Sequence, residues 1–459
     1  MKSAWKARFR RESISFIPRP TSKTLTRTSK RVADNFTIKD LIEKRGLNRV
    51  GGIISKNHRL YSAQRRPNRV KTQVPVPEPL IRRFMPELDA LRGLAVLGVL
   101  FFHGFRAEYG DLPFTGVRRF FVQAMQSGAL GVNLFFVLSG FLITGILLDS
   151  QKRPDYYRRF YARRALRILP AYYGLLILLV LLRQASTAFL GLSFVYLSNV
   201  TNLFGVSMDY HPLWSLAVEE HYYIVWPSVV RKLRPRLLAL FSLSLCIGIP
   251  VARALAFRSG HFQGGEWYTW FTADGLAEGS LLAIVLRTSI SRRMVSIVGV
   301  LLLTMVPILL IAGAPFGMLS RQSQLGATLQ LSLVNTFFAG LLVLFLLLGS
   351  GSLKALVNSS LLRFFGYISY GLYLIHLMIF HLYDKLARLF WPSLRPSVER
   401  FDLIVLRFAV CSAAAIGLAF VSRKYYEEWF LQLKERVVAQ PAAPQPVVDQ
   451  RLINGRARL

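Results

Sequence analysis

Apolar residues along this chain come in runs of 16 to 22 positions, set apart by short polar stretches. Ten such runs stand out, at 88–105, 129–148, 170–185, 213–230, 237–256, 272–287, 295–313, 331–348, 362–383 and 402–421. A run of this length matches the span of a helix across bilayer hydrocarbon. The pattern therefore predicts an all-α, polytopic integral membrane protein with about ten transmembrane helices. Residues 186–204 are apolar too, but a further full crossing there would upset the loop count. They are read as a re-entrant or outer-surface piece.

The loops give the runs a direction. The stretch 149–169 holds Lys152, Arg153, Arg158, Arg159, Arg163, Arg164 and Arg167, 231–236 reads RKLRPR, and 287–294 holds Arg287, Arg292 and Arg293. Basic loops stay on the cytoplasmic side. That puts both termini in the cytoplasm of a bacterial inner membrane, with 384–401 (Lys385, Arg388, Arg395, Arg400) as the exception.

Composition sharpens this picture. The chain is 53% hydrophobic, with mean hydropathy +0.38 over 459 residues, too apolar for a water-soluble protein of this size. Half of its +34 charge sits in residues 1–84, with 22 Lys and Arg against 5 Asp and Glu. This arm has no sustained apolar period and reads as a basic disordered extension. Two readings of it stand: a contact with anionic lipid headgroups, or a start assigned too far upstream, since Met85 is the first methionine after Met1. Nucleic acid is not an expected partner. The organisation expected is arm 1–84, membrane domain 85–430 and disordered tail 431–459. Cys246 and Cys411 fall inside apolar runs and form no disulfide framework. No metal site is expected.

Ionisable groups inside spans are costly and are functional candidates by default. In PELDALRGLAVLGVLFFHGF, Arg92 and His103 lie eleven positions apart. On a helix that is about 16 Å along the axis and only ~20° around it. One helix face thus carries a cation near one bilayer surface and an imidazole toward the other. Glu219 and Glu220 in HPLWSLAVEEHYYIVWP point ~100° apart, so at most one faces a given cavity. Ser215 and Tyr223 share the face of Glu219. Asp274 and Glu278 open the sixth span. Arg163, Arg164 and Arg167 suit either topological anchoring or phosphate binding. Ser139 in GVNLFFVLSGFLIT is a tempting nucleophile, but a Ser-Gly pair in a membrane helix fits close backbone packing better. Tyr373 and His376 fit a polar cavity or an interhelical hydrogen bond. Cations gather on the inner side, acids and imidazoles on the outer side. That split suits an anionic cosubstrate held inside and proton transfer outside.

Six stretches in order resemble the acyltransferase-3 family of integral-membrane acyltransferases, which acetylate O-antigens, exopolysaccharides, nodulation factors and macrolides. They are LDALRGLAVLGVLFFH with its Arg-x10-His spacing, GVNLFFVLSGFLIT, FYARRALRILPAYY, HPLWSLAVEEHYYIVWP, GYISYGLYLIH and SRKYYEEWF. The resemblance covers roughly 86–430 and carries Arg92, His103, Ser139, Arg163, Arg164, Arg167, Glu219 and His376 into the family's pattern. It departs from it at His221, where Gln is usual, at Thr272, where Arg often precedes the Asp, and at Trp429, where Pro is usual.

The resemblance implies transfer of an acyl group, usually acetyl from acetyl-CoA, to a hydroxyl of a sugar or similar acceptor. It also implies a membrane domain standing without the esterase-like domain of some relatives. Arg92 and Arg163–Arg167 would then hold CoA. His103, with Glu219 or Glu220, would act as general base or brief acyl acceptor, and Glu219 would orient the imidazole. Ser139, Tyr373, His376 and Asp274 would line the site. Two rivals are a transporter or flippase of a lipid-linked sugar, which two-fold sequence symmetry would favour, and a non-catalytic scaffold in polysaccharide assembly.

Overall fold

The computed structural model describes residues 81–82, 85–262, 265–348, 351–357, 359–391 and 396–438. The expectations for the arm, apart from Ile81 and Arg82, and for residues 439–459 lie outside them. The described residues form an all-α bundle, and within a few residues most of the predicted runs reappear as helices. They are α1 (Pro86–Phe101), α2 (Gly116–Ala124), α3 (Gly131–Ser150), α4 (Tyr156–Leu181), α5 (Thr187–Phe194), α6 (Leu213–Lys232), α7 (Pro235–Arg258), α8 (Asp274–Val285), α9 (Arg292–Ala312), α10 (Leu331–Leu347), α11 (Ser360–Phe390), α12 (Phe401–Val421) and α13 (Glu428–Val438). Among the described residues, eight helical segments are long and apolar enough to cross a membrane. Two predicted spans are not among them. α6 carries Glu219, Glu220, Arg231 and Lys232 in twenty residues, and α8 is only twelve residues long.

Two boundaries differ from the sequence reading. The third span was expected to begin at Pro170, yet α4 begins at Tyr156 and runs through that proline. Proline inside a helix takes away a backbone bond. Around it the Ile168 and Pro170 carbonyls accept hydrogen bonds from Tyr370 (2.9 Å) and Tyr426 (3.1 Å). Arg158–Arg167 are therefore helical and not in a loop. At the other end, α13 runs to Val438, so the boundary expected at 430 falls inside a helix.

The piece 186–204 turns back along α4. Tyr172 and Tyr173 donate to the carbonyls of Ser193 (2.7 Å) and Phe194 (3.1 Å). The far end of α5 is thus level with a point about 13 Å short of the end of α4. Its start is capped by Ser186, which is itself held by Asp209.

Helix α11 is the most enclosed of the eight, with 72% of its apolar window buried, while α9 has 17% and faces outward. α11 packs on α1 through two glycines. A Cβ on Gly93 would stand 2.2 Å from the Leu362 carbonyl oxygen, and one on Gly366 2.0 Å from that of Asp89. Small residues let membrane helices approach this closely. The approach brings the helix of His103 against the helix of His376.

Among the described residues, three π-helical turns interrupt the bundle: Phe102–Arg106 after α1, Gly326–Gln330 before α10 and Ser422–Glu427 after α12. Such turns favour functional sites. The first contains His103 and the third contains Arg423 and Glu427.

Candidate active site

The polar groups of the bundle form a column from an arginine-rich end to a histidine-rich end. At the arginine end α1 supplies Arg92, bonded to Asp89 one turn back at 2.8 Å. α4 supplies Arg163, Arg164 and Arg167. The Arg164 guanidinium lies 5.0 Å from the ring centre of Tyr223 and 6.0 Å from that of Phe160. Arg167 is solvent-accessible and within electrostatic reach of Arg92, Arg164 and Arg423. Arg423, from the third π turn, lies over Tyr367 at 4.4 Å and bonds Glu428 at 2.8 Å. Guanidiniums from three helical segments therefore converge, with Asp89, Glu427, Glu428 and, toward mid-column, Glu219 as carboxylates within reach of them. Arg423 was not singled out from sequence. Only the SRKYYEEWF stretch pointed that way.

The middle of the column is one face of α6. Ser215, Glu219 and Tyr223 follow at four-residue intervals, as their spacing predicts. Tyr223 donates to Glu219 at 2.5 Å, and Ser139 Oγ lies 3.3 Å from the same tyrosine hydroxyl. The close packing expected of the Ser139–Gly140 pair is carried by Gly140, where a Cβ would stand 2.0 Å from the Leu276 carbonyl oxygen. Ser215 reaches the other way, its hydroxyl 2.6 Å from that of Tyr373. The two glutamates diverge as expected. Glu220 has Glu219 and Arg164 of the column within electrostatic reach, and Tyr172, Tyr173, Tyr196 and Tyr370 as well.

At the histidine end, His103 and His376 face each other, ring centres 4.9 Å apart. His376 Nε2 lies 3.2 Å from His103 Nδ1, and His103 Nδ1 lies 3.0 Å from the Val99 carbonyl oxygen. His376 is buried and His103 half-buried. The hydrogen bonds of His103 thus go to a second imidazole and to its own helix, whereas those of Glu219 go to Tyr223 and toward Ser139. The structure does not join Glu219 to His103 directly. Tyr210, missed in the sequence, sits behind His376. Its hydroxyl donates to the Leu374 carbonyl (2.7 Å) and accepts from the Met378 N–H (3.0 Å).

Asp274 belongs to a separate buried cluster. Arg253 of α7, fully buried, bonds it at 2.8 Å, and Ser332 donates to the same oxygen at 2.6 Å. Thr336 donates to Glu278 at 3.0 Å one turn further on. Thr272, at the position where the family often has Arg, bonds its own backbone at Tyr268. A guanidinium nevertheless stands beside Asp274, delivered by Arg253 from another helix. A lone arginine inside an apolar run was the available signal.

This arrangement can hold an anionic group at one end and move a proton at the other, with polar side chains between. Comparison with known proteins identifies the family. The family description "Acyltransferase domain" matches residues 85–423. The chain is similar to the peptidoglycan O-acetyltransferase OatA of Listeria monocytogenes, 32% identical over 170 residues (32% of this chain, 24% of that protein). It is 33% identical over 229 residues to the putative peptidoglycan O-acetyltransferase YrhL of Bacillus subtilis (44% and 33%). It is 29% identical over 248 residues to the O-acetyltransferase OatA of Staphylococcus aureus (46% and 37%). The aligned region spans between a quarter and about a third of the length of these relatives. No solved structure matches the chain.

Proposed function

The chain belongs to the acyltransferase-3 family, and on that premise we propose that it is an O-acetyltransferase of a bacterial inner membrane. It moves an acetyl group from acetyl-CoA to a hydroxyl of a glycan. The observation that carries this reading is the continuous helical segment Pro86–Tyr109, which bears Arg92 of α1 in the arginine cluster and His103 of the following π turn in the histidine pair. Relatives named peptidoglycan O-acetyltransferases support a cell-wall or surface glycan as the acceptor class.

In this reading Arg92, Arg164, Arg167 and Arg423 hold the phosphates of CoA, where planar guanidiniums make two-point contacts. Arg163 flanks them. His103 Nε2 takes the proton of the acceptor hydroxyl as its oxygen bonds to the acyl carbon. The carbon–sulfur bond breaks and the thiolate receives the proton from Nε2. Positioned imidazoles contribute about 10²–10⁴-fold in such steps. Glu219 acts at mid-column through Tyr223, and Glu220 faces the tyrosines. The arginine end faces the cytoplasm, as do both termini, and the membrane domain begins at Met85.

The test is reconstitution. The purified protein in liposomes should transfer label from [¹⁴C]acetyl-CoA to soluble glycan fragments. Tags near Arg153 and Arg234 should react only with cytoplasmic-side probes. Absence of label on any glycan, with the protein folded and inserted, would refute the reading.

A further inference from the structure

The hydrogen bonds of the histidine pair determine where its protons are. His376 Nδ1 lies 2.8 Å from the Tyr373 carbonyl oxygen and 3.1 Å from that of Leu372. Carbonyl oxygens only accept, so Nδ1 carries the proton and Nε2 presents a lone pair. That lone pair faces His103 Nδ1 at 3.2 Å, and the Val99 carbonyl faces the same nitrogen at 3.0 Å. His103 Nδ1 thus meets two acceptors. It must carry the proton, which leaves His103 Nε2 bare.

We propose that His376 is a positioning residue: it holds His103 in the tautomer whose Nε2 is free to accept a proton. The proposal rests on the acyl-transfer reading of His103 above. A carboxylate serves this purpose in many hydrolases, and here a neutral imidazole takes its place. Throughout the transfer His103 keeps its Nδ1–H bond to His376 while Nε2 gains and then loses a proton. His376 never changes its own proton count.

The surroundings hold His376 in this pose. Tyr210 is fully buried and pins the turn from Leu374 to Met378, and Gln184 donates to the Met378 carbonyl at 3.2 Å. Packing of α1 on α11 through Gly93 and Gly366, about 15 Å along the helices from the rings, holds the two helical segments together. The other ionisable groups within reach of the pair are His211 and His381, with Tyr373 engaged by Ser215 and within reach of Glu219.

Three variants separate this role from packing. His376→Gln keeps an acceptor near the place of Nε2, His376→Leu keeps bulk without one, and His376→Glu supplies a carboxylate. His376→Leu should lose about 10–100-fold in kcat, the size of loss seen when the hydrogen-bond partner that fixes the tautomer of a metal-binding imidazole is removed, with KM for acetyl-CoA unchanged. His376→Gln should recover most of that loss. In His376→Glu the acid limb of the pH–rate profile should move to higher pH, because a carboxylate stabilises the imidazolium of His103. If His376→Leu does not insert, the Gln and Glu variants still decide. Wild-type rates in all three, or equal losses in all three with the Glu profile unmoved, would overturn the proposal. His103→Gln, measured in parallel, tests the reading beneath it. If His103→Gln is inactive and the His376 variants behave as wild type, only the positioning role falls. If His103→Gln remains active, both fall.

Discussion

Arg407 and Asp384 meet in a two-point ion pair beside the π turn that carries His103. Both guanidinium contacts are 2.6 Å, and Nη1 of the same arginine lies 3.4 Å from the Gly104 carbonyl oxygen inside that turn. The guanidinium is sandwiched near the rings of Tyr109 (5.2 Å) and Phe380 (4.7 Å). A π turn frees backbone groups that need partners at this depth, and Arg407 supplies one.

Removing one member of a buried pair strands the other. Arg407→Leu should destabilise the protein by about 3 kcal/mol, toward the low end for such losses because Asp384 is partly exposed. The double change Arg407→Leu with Asp384→Leu should recover much of this. Thermal unfolding in detergent reads both. A double variant no more stable than the single would show that the pair is not the source of the loss.

Gly366→Ala should push α11 from α1, since its Cβ would stand 2.0 Å from the Asp89 carbonyl oxygen. Overpacking of this kind costs roughly 1–3 kcal/mol, and it also parts the histidine rings. Lower stability and lower acetyl transfer should appear together. Gly417→Ala on α12, whose Cβ meets nothing within 4 Å, is the control and should be silent in both.

Much of this column was legible in the sequence because helix geometry converts spacing directly into direction. Ser215 and Tyr223 flank Glu219 on one face of α6, as their spacing predicts, and Arg92 and His103 fall on one continuous helical segment. What could not be read were partners brought by other helices. Arg253, Asp384 and Arg407 lie in or beside apolar runs where composition hides a single charge, and their partners are 21 to 23 residues away. Tyr210 sits in a loop without helical period. The π turn at Phe102–Arg106 leaves no mark in hydropathy, and Arg407, which meets its Gly104 carbonyl, comes from α12 far along the chain. The extent of α4 differs from the expectation because Pro170 looks like a helix start in the sequence, whereas α4 runs through it, as membrane helices packed among neighbours tolerate.

Arg164→Ala should weaken binding of acetyl-CoA about tenfold to hundredfold, the worth of a charge-assisted contact at ~1.5–3 kcal/mol. Arg164→Lys should recover only part, since an ammonium cannot form the planar fork or lie flat over Tyr223. Equilibrium binding of a fluorescent CoA to the purified variants reads this. Unchanged affinity in Arg164→Ala would leave that residue as an anchor at the membrane surface.

The central claim is that His103 moves the proton during acyl transfer. The most direct measurement is the single-turnover rate of acetyl transfer to a glycan fragment by purified His103→Gln, with CoA binding measured on the same sample. Gln keeps a hydrogen-bonding amide beside His376 but cannot shuttle a proton. The expected result is a folded protein that binds CoA normally and transfers at least ~10²-fold more slowly than wild type. Transfer at close to the wild-type rate would contradict it, and would make the histidine pair a structural link between α1 and α11.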